Sequence, residues 1–118
     1  MRTRTLSFGL YADERGLAWA RNLVGEAVAS RSARIVEENV AHTVFGSELT
    51  TADVYGFLAE QWAVEHPGES SGAREPVELS VRMVCSLRTW RAIRKAVIRA
   101  LCPEGPKPHA CRVPWIAA

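Results

Sequence analysis

Five cations in the C-terminal third have the most regular spacing in this chain. Arg88, Arg91, Lys95 and Arg99 succeed one another at steps of three and four residues, with Arg94 at the margin. On a helix those steps bring the side chains onto one face. A cationic stripe of this kind can follow a phosphate backbone without reading its sequence, or meet an acidic protein surface. A solvated helix face produces the same pattern, and an isoelectric point of about 8.6 falls short of the usual nucleic-acid footprint. The strands also lack the paired aromatic positions on which RNA-binding sheets stack bases.

Cys102, His109 and Cys111 are the residues that most resemble metal ligands, with Cys85 as a conceivable fourth. Zinc takes thiolates and imidazoles at tetrahedral positions. The spacing Cys-x6-His-x-Cys matches no paired Cys-x2-Cys knuckle, and Cys85 lies on the apolar side of a strand pattern, so no metal is expected. For acid–base work, Glu38 with His42 and Glu65 with His66 are close in sequence. A general base also needs a tuned environment and an orienting partner. No Gly-rich phosphate loop, nucleophile elbow or HExxH pattern occurs, and no cofactor is expected. A pocket between sheet and helices remains conceivable, lined by Tyr11, His42, Arg82 and Trp115, with His42 and Arg82 as the residues to test for catalysis.

The elements that position these residues follow from periodicity. Leu6, Phe8 and Leu10 alternate with Thr3, Thr5, Ser7 and Tyr11, which is the period of a strand with one buried face. Asp13 can cap a following helix that places Leu17, Ala20, Val24, Ala27 and Val28 on one side and ends near residues 30–32. Residues 33–45 are rich in β-branched types, yet Val36, Val40 and Val44 also suit a helix; the segment is read as a strand. Thr50 and Asp53 form a capping pair for a helix running to about Glu65, with Val54, Phe57, Leu58 and Gln61 on its apolar face and His66, Pro67 and Gly68 as its stop.

Residues 67–76 are turn formers, small residues and charges, and read as one flexible loop. Val77, Leu79, Val81, Met83 and Cys85 then alternate with polar residues in the clearest strand of the chain. Ser86 caps a helix whose buried stripe is Leu87, Trp90, Ile93, Val97 and Leu101. Trp90 thus belongs to the core, whereas Trp19 falls off the apolar face of its helix and reads as a contact surface. Residues 111–116 return as a short strand, at an edge because Pro114 has no amide to donate.

The order strand, helix, strand, inserted helix, strand, helix, strand predicts an α+β fold. The expected form is a ferredoxin-like split βαβ arrangement, an antiparallel sheet with helices on one face and an extra inserted helix. Its 118 residues suit a single domain. Charge is sorted along it: residues 1–34 carry net +3, residues 35–80 net −8 and residues 81–118 net +7. Such blocks give a fold a basic and an acidic side. No apolar run reaches the roughly 20 residues of a membrane span and no signal-peptide pattern opens the chain, so a cytoplasmic protein with no membrane partner is expected. Three cysteines in that setting argue against a disulfide framework. A sheet covered on one face only leaves the other in want of a partner. The sequence therefore points to a non-enzymatic interaction domain, a homodimer, with nucleic-acid binding through the basic helix or a small cofactor-independent pocket as the other readings.

Overall fold

The computed structural model describes residues 2–44, 47–102 and 113–117. Its elements are β1 (Arg2–Ala12), α1 (Glu14–Ala29), β2 (Arg34–Ala41), α2 (Thr51–Glu65), β3 (Glu75–Cys85), α3 (Leu87–Leu101) and β4 (Trp115–Ala117). The fold is α+β, with one antiparallel sheet of order β2-β3-β1-β4. β1 and β2 run parallel to each other with β3 between them, and β3 and β4 run parallel with β1 between them.

Strand parity sets the layers. Leu6, Phe8 and Leu10 of β1 point to the same side as Val77, Leu79, Val81, Met83 and Cys85 of β3, and all are almost fully buried. Against them pack Ala20, Val24, Ala27 and Val28 of α1 and Ile93, Val97 and Leu101 of α3, closing the main core. The three helix starts follow the sequence. Asp13 accepts from Gly16 N at 2.8 Å, Thr50 Oγ1 from Asp53 N at 3.2 Å and Ser86 Oγ from Thr89 N at 3.1 Å. Each satisfies a backbone donor that a first helical turn leaves free.

The expectation that all helices share one face is overturned. α2 packs on the opposite side of the sheet, where Tyr55, Leu58 and Trp62 join Tyr11 in a second, smaller core. The cause lies in the other parity of β1 and β3. Gly9 leaves room for an aromatic ring to lie flat on the strand, and a Cβ there would stand 2.6 Å from the Tyr55 ring. The opposite-face residue next to it on β3 is Glu78, whose carboxylate accepts from the Tyr55 hydroxyl at 3.0 Å. Thr51, 1% exposed, ties the start of α2 down by donating to Pro76 O at 2.7 Å and His42 O at 3.1 Å. The buried stripe of α2 is thus Thr51, Tyr55, Leu58 and Trp62, and Phe57, expected inside, is 47% exposed.

Residues 34–41 form a strand, at the edge beside β3, and a bulge between Ile35 and Glu37 breaks the pairing there. Before the bulge the odd residue Ile35 pairs with Met83; after it the even residue Val40 pairs with Leu79 on that same side. One extra residue reverses the parity, and this is why the segment carried no clean period of two. β3 begins at Glu75, so residues 75 and 76 belong to the sheet rather than to the loop. Gly68 and Gly72 take positive φ of 80° and 58° in that loop, a region glycine enters at no steric cost. Residues 111 and 112 lie outside the described residues; β4 starts after Pro114, whose carbonyl accepts from Tyr11 N at 3.0 Å. No helix among the described residues is long and apolar enough to cross a membrane.

Candidate functional site

α3 turns Ile93, Val97 and Leu101 inward, and the phase of the helix then fixes what faces out. Trp90, Arg91, Arg94, Lys95, Ile98 and Arg99 line a shallow groove of about 700 Å³ along its outer side. Trp90 and Ile98 give it a half-buried apolar floor, and both still touch the main core. Trp90 is held in place by its Nε1, which donates to Thr5 O at 3.2 Å. Arg88 precedes them on the same helix and is exposed, like Arg91, Lys95 and Arg99, while Arg94 is half-buried. The described ion pairs are Arg21 with Glu38, Arg82 with Glu37 and His42 with Glu75, so none involves a cation of α3. An apolar floor between unengaged cations can hold an acidic, partly apolar surface or a stacked, phosphate-bearing chain.

The four residues considered for a pocket take separate positions. Tyr11, 7% exposed, lines a cleft of about 200 Å³ with Asp13, Arg15 and Arg74. Arg74 also stands 4.8 Å over the Trp62 ring, on which His66 stacks at 4.6 Å. Arg82 lies on the part of the sheet that α2 leaves open and pairs with Glu37 at 2.8 Å. Exposed His42 pairs with Glu75 at 2.9 Å, just beyond the end of β2 and at the opposite end of its post-bulge pairing from Glu37. Trp115 sits beside Leu10 on β4, so its side chain faces the α1 and α3 layer, away from Tyr11. Glu38 is engaged by Arg21, so Glu38 and His42 belong to two different ion pairs. Of the metal candidates, Cys102 ends α3, half-buried, and His109 and Cys111 lie outside the described residues. Cys85 is fully buried in the core, as its parity implied. Trp19, expected as a contact surface, packs partly against the main core.

Sequence reasoning missed the buried polar network under α2. Glu78 is 2% exposed and Ser80 is 8% exposed. Glu78 Oε2 accepts from Tyr55, Ser80 Oγ donates to Glu78 Oε1 at 3.4 Å, and the Ser7 and Ser80 hydroxyls are 3.1 Å apart. The Tyr55 hydroxyl is pushed up from 10.0 to about 12, first by burial and then by its bond to Glu78 and the negative charge there. A phenol held protonated against a carboxylate works as a structural clasp at neutral pH. The one local signal is Gly9 inside an alternating strand pattern, which marks a close approach to the backbone; Glu78 reads as an ordinary solvent-facing alternate until β1 and β3 pair. The open remainder of that face, with Thr5, Glu37, Asn39, Ser80 and Arg82 around a small hollow, is polar rather than apolar.

Comparison with protein-family models, curated proteins and solved structures finds no match for the chain.

Proposed function

We propose that the protein is a non-enzymatic cytoplasmic interaction domain that self-associates, using the basic groove of α3 as its receptor surface. The observation that carries the reading is the groove itself: an apolar floor of Trp90 and Ile98 between Arg91, Arg94, Lys95 and Arg99, none of them ion-paired among the described residues. Desolvated apolar centres with charged rims are what protein interfaces use, the centre for affinity and the rim for steering. The acidic segment 35–80 gives a second copy the complementary charge. The frame is read as a ferredoxin-like split βαβ fold, supported by two parallel strand pairs that each enclose one antiparallel strand. Light scattering across protein concentration at low and high salt tests the reading. An assembly that salt dissociates supports it, and a monomer at every concentration ends it.

A second reading, nucleic-acid binding, draws on the half-buried Trp90 beside those same cations, since aromatic rings next to Arg and Lys hold unpaired bases. It predicts copurifying nucleic acid that salt removes, and binding lost in Arg91→Glu with Lys95→Glu. The scattering of Tyr11, His42, Arg82 and Trp115 over separate positions gives the enzymatic reading no comparable support.

A further inference from the structure

α2 is unusual on its outer side. A helix with one face on a sheet normally turns charge to water on the other. Here Asp53, Phe57, Glu60 and Val64 follow one another at steps of four, three and four residues, forming a stripe opposite Tyr55, Leu58 and Trp62. Phe57 is 47% exposed and Val64 80% exposed, and neither acid is in an ion pair among the described residues. The stripe of α2 and the groove of α3 are therefore complements: two acids alternating with two apolar side chains, against cations flanking Trp90 and Ile98.

We infer that the occupant of the α3 groove is the outer stripe of α2 from a second copy of this chain. The inference rests on the interaction reading above and names the surface that α3 receives. Phe57 and Val64 meet the Trp90 and Ile98 floor, and Asp53 and Glu60 face the arginines and Lys95. The contact is not self-complementary. α2 lies on one face of the sheet and α3 on the other, so stripe and groove point away from each other. Two copies cannot satisfy both contacts at once, and the interface is heterologous, building rings or open chains rather than a closed two-fold dimer. One helix in one shallow groove falls at the small end of specific interfaces, below roughly 1,200 Å². The association is accordingly weak, concentration-dependent and salt-sensitive.

Complementation of two full-length variants tests this. Phe57→Ser with Val64→Ser disables the stripe and leaves the groove; Arg91→Glu with Lys95→Glu disables the groove and leaves the stripe. All four positions are exposed, and unchanged thermal melts verify the fold. Light scattering of wild type shows species larger than two copies as concentration rises, and each variant alone weakens association at least about tenfold. Mixed in equal amounts, the variants form a one-to-one complex that grows no further. An assembly that survives the α2 variant overturns the inference while leaving self-association in place. Failure of the mixture to pair does the same. Wild type that stays monomeric ends both, and a peak whose nucleic acid is stripped by salt assigns the groove to phosphate.

Discussion

Glu78 and Tyr55 join α2 to the sheet: a carboxylate on the central strand β3, 2% exposed, accepts a 3.0 Å hydrogen bond from the hydroxyl of the helix that covers it. A buried carboxylate is tolerable only when hydrogen-bonded. Tyr55 supplies that bond, and Ser80 adds a longer one at 3.4 Å. The pair thus ties α2 to the sheet by chemistry as well as by apolar contact.

Tyr55→Phe keeps the ring and removes the 3.0 Å bond to Glu78. The expected cost is about 2 kcal/mol at neutral pH, the range for a hydrogen bond to a charged group, measured by urea unfolding.

The pH dependence of that difference has a fixed sign. Tyr55 is raised from 10.0 in the unfolded chain to about 12 in the fold, so its contribution is complete below pH 10 and is lost as pH rises to about 12. Wild type and Tyr55→Phe should converge over that window, the two units bounding the change at about 3 kcal/mol. A gap that stays constant from pH 8 to pH 12 would contradict the assignment.

Gly9→Ala places a methyl group 2.6 Å from the Tyr55 ring. Overpacking of this kind costs roughly 1–3 kcal/mol. In a Tyr55→Ala background the same substitution should cost much less, because the two residues share one space. A double-mutant cycle of thermal melts reads the coupling.

Thr51→Val is nearly isosteric and removes the hydroxyl that reaches Pro76 O and His42 O. Its site is 1% exposed, so water does not replace the lost donor. A loss of about 1–3 kcal/mol is expected, with faster hydrogen exchange at the first turn of α2 as the local signature.

Arg82→Ala and His42→Ala open exposed ion pairs with Glu37 and Glu75. Each should change stability by under about 1 kcal/mol. A melting-temperature drop much larger than a few degrees would show that one of them braces the fold.

Much of the architecture was legible because alternation is a local property. Leu6, Phe8 and Leu10 share a side whatever lies above them, and Asp13, Thr50 and Ser86 cap helices through contacts only three residues long. β2 was harder, since the bulge after Ile35 moves the buried positions from odd to even and destroys the period that identifies a strand. The groove of α3 was half legible. The cations were visible as a stripe, whereas the apolar floor depends on how far Trp90 sinks toward the sheet, where its indole reaches Thr5 O.

The sequence by itself determined β1, β3 and the three helices, the caps and the side of each long strand that would be apolar. Only the tertiary structure decided where α2 goes. A helix with Phe57 and Val64 on one side and Tyr55, Leu58 and Trp62 on the other has no single apolar phase, so periodicity does not orient it. Its place is set across the chain, by the space above Gly9 and the carboxylate of Glu78, which adjoin only after β1 and β3 have paired in register.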